Sequence, residues 1–404
     1  MQKFDSAFIK KNNRIKVLSL IRKKGLISRA ELSRLTEISA PTITRITTEL
    51  ISEEGLVVDV GPSVSGGGRP PNMVRFAGET KFIIGIDIGS THIRGALSNM
   101  DGNIILDKKE VPTHNIKSFE DIVETLIRLI DSLLEFSHVE KKNVLGVGLA
   151  YGGLFNEHTH KVEFIQTLHW SNSQAAAILK ERIGLPVKID NVTRVVAIGE
   201  LHFGIGKKYD NFICINVGYG IGAGIIVESK PFYGKNSLAG EFGHIVISKD
   251  DERLCNCGNY GCIEAICSGS GMVRTAINLI KRGRTSVLNE YCSGHLDDIS
   301  AEMIIRAVQQ GDNLASEILD EAIEYLALGI MNLVNLFDPS AIVLHGRIAV
   351  LGDLVVEPIR KVIKEKAYNI EKKSIEIEFA SFGNESPMIG AIALILENVM
   401  TLEL

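Results

Sequence analysis

The sequence predicts an α/β protein in two parts: a small helical head with a strand pair, and a larger body of alternating strands and helices. Charge separates the parts. Residues 1–80 carry 13 Lys and Arg against 8 Asp and Glu, a net +5, whereas the remainder carries 31 against 41, a net −10. Apolar spacing separates them too, because helical periodicity gives way after Lys81 to short apolar runs closed by glycine turns. A length of 404 residues exceeds one ordinary domain and leaves room for two or three. No apolar run reaches the roughly 18–20 residues that span a bilayer. The opening MQKFDSAFIKKNNR has no apolar stretch followed by a cleavage site. A cytoplasmic protein with no membrane partner is expected.

Within the head, Asn12–Lys24 reads as a helix with Ile15, Leu18 and Ile21 on one face and Gly25 as its stop. Ser28-Arg29-Ala30-Glu31 is a capping box that starts a short helix with Leu32 and Leu35 inward. The turn Thr36–Ser39 leads to a third helix, Ala40–Ser52. Its buried stripe is Ile43, Ile46 and Leu50, leaving Thr42, Thr44, Arg45 and Thr48 outside. Two short helices across a tight turn form a helix-turn-helix, whose second helix can enter the major groove of DNA. Ser39, Ala40, Pro41, Thr42, Thr44 and Arg45 are the expected contacts to base edges and phosphates. Leu56–Val60, a turn at Gly61-Pro62 and a return near Asn72–Phe76 make a β wing. Between its strands lies Gly66-Gly67-Gly68-Arg69-Pro70-Pro71, where bare glycine backbone would let Arg69 approach a narrow minor groove. A basic head on an acidic body also fits an anionic partner.

The body contains two apolar strands that end in glycine turns, Phe82–Thr91 with Asp87-Ile88-Gly89-Ser90-Thr91, and Phe212–Gly224 with Gly218-Tyr219-Gly220. Such turns present backbone N–H groups to anions. Four of the six cysteines fall at 255, 257, 262 and 267, and clustering of this kind in a cytosolic chain favours metal binding over disulfides.

These motifs resemble the ROK family (repressors, open reading frames and kinases). The likeness rests on Asp87–Thr91, Gly240-Glu241-Phe242-Gly243-His244, the run Cys255–Glu264, and Asn335-Leu336-Phe337-Asp338-Pro339 before the strand Ala341–Gly346. It implies a winged helix-turn-helix at residues 1–65 and a linker with the end of the wing at 66–80. A two-lobed, actin-like (ribonuclease H-like) sugar kinase fold follows, with lobes at 81–190 and 191–385 and a C-terminal helix, 386–400, packing back on the first. The resemblance further implies a structural zinc in the loop 244–262, held by His244, Cys255, Cys257 and Cys262, with all four tetrahedral positions filled. By the same resemblance, Asn191, Glu241, His244, Glu264 and Gly153 would hold a monosaccharide.

Three positions depart from the kinase pattern. The general base of related kinases is an Asp, and the anchor Ala197-Ile198-Gly199-Glu200 puts its position on Val192, which cannot accept a proton; a one-residue slip would instead bring Asp190 near the site but desert that anchor. Loss of a positioned base costs about 10²–10⁴ in rate. Tyr219 replaces a small residue in the second phosphate loop, and His345-Gly346-Arg347 replaces a glycine run on the nucleotide side. The expectation is a non-enzymatic repressor that binds operator DNA as a homodimer or tetramer and responds to a glucose- or xylose-type sugar. The alternatives are an active sugar kinase that also binds DNA, and a repressor controlled by a phosphotransferase-system protein.

Overall fold

The computed structural model describes residues 6–401, apart from residues 63–70, 90, 107–108, 114–115, 117, 157–160, 166–169, 173–174, 370 and 372–373. Two compact units emerge: Met1–Gly153 with Lys161–Asp190 and Met388–Leu404, and Leu154–His160 with Asn191–Pro387.

The first unit opens with α1 (Ser6–Lys24), β1 (Leu26–Ser28), α2 (Arg29–Thr36), α3 (Ala40–Ser52), β2 (Val57–Pro62) and β3 (Asn72–Phe76). Helix α1 begins six residues before the expected Asn12 and stops at Gly25, whose φ of +73° suits glycine. Leu18, Ile21, Leu32, Ile43, Ile46 and Leu50 close a dry helical core. Leu35 does not join it: the residue is 39% exposed, and Thr36, 3% exposed, takes the inward position by returning its hydroxyl to the Leu32 carbonyl at 2.6 Å. Only half of the expected capping box forms. Ser28 Oγ accepts from the Glu31 N–H at 3.1 Å, but the Glu31 carboxylate lies toward Arg34 instead. Ser28 also ends the unexpected strand β1, which pairs with β3 and turns the wing into a three-stranded sheet, β1-β3-β2.

A five-stranded sheet follows, built from β4 (Phe82–Ile88), β5 (His92–Asn99), β6 (Lys109–Pro112), β7 (Val144–Tyr151) and β11 (Val187–Asn191), with α4 (Phe119–Ser137) after β6. Its order is β11-β7-β4-β5-β6, with β4 antiparallel to β5 and parallel to β7. Between β7 and β11 come β8 (Gly153–Asn156), β9 (Lys161–Ile165) and β10 (Trp170–Asn172), which form a small sheet, and α5 (Ala175–Ile183).

The second unit comprises α6 (Val192–His202), β12 (Phe212–Val217), β13 (Ile221–Val227), β14 (Lys230–Pro231), α7 (Ile263–Cys267), α8 (Gly269–Lys281), α9 (Leu288–Tyr291), α10 (Ala301–Gln309), α11 (Asn313–Phe337), β15 (Ala341–His345), α12 (Asp353–Lys366) and β16 (Glu376–Phe379). Its sheet, β14-β13-β12-β15-β16, repeats the plan of the first. A strand runs into a glycine turn, returns antiparallel, and is flanked on its other side by a parallel partner. The core of this unit lies between the sheet and α11, with Ile318, Ile323, Leu326, Ile330 and Val334 buried. The chain then returns to the first unit as α13 (Ser386–Thr401). There Gly148 on β7 permits contact so close that a Cβ would lie 1.9 Å from the Ala391 carbonyl oxygen. Among the described residues no helix is long and apolar enough to cross a membrane.

Candidate functional site

Helix α3 presents the expected polar face. Ser39, Ala40, Pro41, Thr44, Arg45 and Thr48 are exposed and Thr42 is half-buried, while Ile43, Ile46 and Leu50 point inward. Ser39 and Thr42 share a hydrogen bond at 2.9 Å, and Arg45 lies 3.9 Å from Glu49. Arg29 braces the helix from below, donating to Thr47 Oγ1 at 3.0 Å and to Asp59 of the wing at 2.8 Å. Arg69 lies outside the described residues.

In the second unit, the ligand atoms of His244, Cys255, Cys257 and Cys262 all lie within 4.8 Å of one another. Three local devices gather them. The short 3-10 turn Phe242–His244 ends in the imidazole. Cys255 N–H donates to the Asn259 carbonyl at 2.8 Å, closing a loop whose corner is Gly258 at φ +91°. Gly261, at φ +68°, packs where a Cβ would stand 1.8 Å from the Ser248 carbonyl oxygen. A brace that the sequence did not reveal holds this loop from outside: Arg253 donates to Asp251 at 2.9 Å and to Glu321 of α11 at 2.8 Å.

Cys257 Sγ and Cys262 Sγ are 3.7 Å apart, and Cys255 Sγ is 3.5 Å from His244 Nδ1. Tetrahedral coordination with Zn–S of about 2.3 Å and Zn–N of about 2.0 Å requires roughly 3.8 Å and roughly 3.5 Å for these edges. The residues therefore fit a zinc ion. Burial and the neighbouring thiols push the Cys262 pKa up to about 12, and burial raises Cys255 as well. A bound metal would supply the positive charge that three thiolates need.

The polar side chains expected around a sugar meet this cluster. His244 Nδ1 faces Cys255, while Nε2 lies 3.8 Å from the Glu241 carboxylate. Burial raises the Glu241 pKa, opposed by His244 and Arg194. Glu264, 9% exposed in the first turn of α7, accepts from the Ile221 N–H at 3.0 Å and approaches Cys255 Sγ at 4.0 Å. Asn191 caps α6, its Oδ1 accepting from the Thr193 N–H at 2.9 Å. Helix α6 seats closely on β13, since a Cβ on Gly224 would lie 2.6 Å from the Thr193 carbonyl oxygen. Gly153 opens β8 and belongs to the first unit. Arg194, a buried residue one turn along α6 from Asn191, joins the site without having been expected.

At the positions that depart from the kinase pattern, Val192 is the half-buried first residue of α6 and Asp190 is only 1% exposed at the end of β11. Tyr219 is 63% exposed, while the Gly218 carbonyl accepts the Gly269 N–H at 2.9 Å. Arg347 forms an ion pair with Glu302 and lines a small apolar cavity together with Val217, Gly218 and Ile348.

The ROK family model matches residues 83–398, and a model described as winged helix-turn-helix DNA-binding matches residues 11–54. The chain belongs to the ROK family. Its similarity to a ROK protein named xylose repressor, from Caldicellulosiruptor bescii, is 33% identity over 97% of each chain. A crystal structure of a ROK family transcriptional regulator, described as a homolog of the E. coli MLC protein, superposes with a TM-score of 0.83. It is 27% identical over 98% of each chain. A ROK family glucokinase from Streptomyces griseus, in complex with glucose and AMPPNP, has a TM-score of 0.67 and 31% identity. It matches only 78% of this chain but 98% of its own. The ROK kinase fold thus accounts for the body, and the added head is shared with the regulators.

Proposed function

We propose that this ROK protein is a sugar-responsive transcriptional repressor that binds operator DNA through α3 and a monosaccharide through its second unit, without phosphorylating the sugar. The observation that carries the sensing half is the placement of His244, with one ring nitrogen toward the cysteines and the other toward Glu241. A zinc on His244, Cys255, Cys257 and Cys262 would supply a fixed tetrahedral tie and leave no open position for chemistry. Metal on Nδ1 fixes the tautomer, so Nε2–H is held as a donor. Glu241 and Glu264 then offer acceptors for sugar hydroxyls, and Asn191 offers an amide. The glucose or xylose class follows from this polar, uncharged-ligand chemistry and from the relatives' names.

The absence of kinase activity is supported by Val192 at the head of α6, a side chain that cannot take the hydroxyl proton, and by the Arg347–Glu302 pair on the nucleotide side. Two copies would present two α3 helices to the halves of a palindromic operator. The sugar acts by binding the DNA-competent and DNA-released states unequally.

The test uses full-length protein and a duplex selected from random DNA. Fluorescence anisotropy is expected to show tight binding, released by D-xylose or D-glucose, and a coupled ADP-release assay is expected to show no turnover. Operator binding indifferent to every monosaccharide would remove the sensing half, and sugar-dependent ADP release would reinstate the kinase.

A further inference from the structure

We propose that Arg194 is the positioning residue of the effector site: it locks the segment from Tyr233 to Glu241 onto α6 and so fixes where Glu241 stands relative to Asn191. The inference rests on the reading of Asn191 and Glu241 as sugar contacts.

Arg194 is 5% exposed, and arginine is buried to that degree only when its charge and donors are engaged. Its position is three residues beyond Asn191, so the two lie on the same face of the first turn of α6. From there the guanidinium lies 4.8 Å from the centroid of the Tyr233 ring, and Nη1 donates to the Ser237 carbonyl at 3.2 Å. Ser237 is 3% exposed and held at φ +57°, a left-handed conformation uncommon for a residue other than glycine. Its buried carbonyl needs a donor, and Arg194 provides one. The positive charge also opposes the rise that burial imposes on the Glu241 carboxyl.

The segment otherwise folds on itself, with Ala239 N–H donating to the Tyr233 carbonyl at 3.0 Å, and it meets the sheet where Ala223 N–H donates to the Gly240 carbonyl at 2.8 Å. Gly240, at φ +94°, leaves no room for a Cβ, which would fall 2.0 Å from the Ala223 carbonyl oxygen. The sheet therefore pins one end and Arg194 pins the middle, with Glu241 directly after the pinned end. A lysine cannot replace it, because a compact ammonium does not stack on a ring and reach a carbonyl in one planar fork.

The experiment compares wild type, Arg194→Lys, Arg194→Ala and Tyr233→Leu as full-length zinc-loaded proteins. Hydrogen exchange is followed by mass spectrometry, and calorimetry is run with D-xylose and with D-glucose. The expected result is faster exchange across residues 233–241 in both Arg194 variants, unchanged protection across residues 255–262, and sugar affinity about tenfold weaker. Tyr233→Leu should show the same pattern to a smaller degree, and it decides the matter if Arg194→Ala fails to fold. Wild-type exchange together with wild-type affinity in the variants would overturn the proposal. If wild type binds neither sugar, the sugar reading loses its support, and the exchange profile still judges the lock by itself.

Discussion

At position 192 an aliphatic side chain opens the helix capped by Asn191, and the proposed separation of binding from chemistry turns on this pair. Substituting Val192→Asp returns a carboxylate but leaves the Arg347–Glu302 pair and the diverged glycine turn in place. We expect no sugar-dependent ADP release from that variant; turnover would locate the whole block in one residue. Glu241→Gln keeps the shape and removes the charged acceptor. It should weaken monosaccharide binding about ten- to a hundredfold, since hydrogen bonds to charged groups contribute about 1.5–3 kcal/mol, while zinc content measured by metal analysis stays at one per chain. Arg45→Ala on the exposed face of α3 should cost about 1–3 kcal/mol in operator binding by anisotropy, with sugar binding untouched. The residue scale is also where sequence reading was most uneven. Ile43, Ile46 and Leu50 were legible because helical period dictates one face. Leu35 was misread because Thr36 satisfied its own hydroxyl against the Leu32 carbonyl and could turn inward in its place.

Among the elements, the cysteine loop tests the proposed zinc and the Arg253 brace separately. Removing zinc with a chelator under reducing conditions should abolish sugar binding and open residues 255–262 to protease, because three thiols do not hold that loop by hydrogen bonds alone. DNA binding by the separate helical head should survive in the same sample. The Asp251–Arg253–Glu321 brace has a pH signature. The Arg253 guanidinium holds the Asp251 carboxyl below its ordinary range, so the stabilisation is present above the unfolded carboxylate pKa of about 3.9. It disappears as pH falls through the lower folded value. Asp251→Asn should therefore lower the melting temperature at neutral pH, with the difference from wild type vanishing in strong acid. The Cys-x-Cys and Gly spacing made the loop legible as a metal site, whereas Glu321, 68 residues from Arg253, was not. No local pattern marks a carboxylate on a distant helix as a partner.

On the scale of the whole chain, head and body are joined by a short connection with hydrogen bonds to both sides. Ala77 N–H donates back to the Leu56 carbonyl at 2.9 Å, and the next residue, Gly78, accepts from Met100 N–H at 3.0 Å. Arg22 at the end of α1 faces Asp101 and Glu397, and loss of hydration there lowers its pKa. The head is thus held on the first unit rather than tethered loosely to it. Operator affinity should fall steeply with salt through phosphate contacts, and a sugar that acts through the body should shift the midpoint of that salt titration without altering its slope.

Periodicity, capping residues and glycine turns determined the head, the alternating body and the metal loop, because each depends on contacts within a few residues. The family's motif spacing placed Asn191, Glu241, His244 and Glu264 in one expected site. Only the tertiary structure decided which nitrogen of His244 faces the cysteines, that β1 completes the wing, and that Arg194 is buried against Tyr233 and Ser237. These depend on pairings between residues 39 to 49 positions apart in sequence, such as Leu26 with Arg75 and Arg194 with Tyr233 or Ser237, or on the orientation of one ring, as at His244. Close approach of that kind is set by packing density and buried hydrogen bonds, and neither leaves a local trace in the chain.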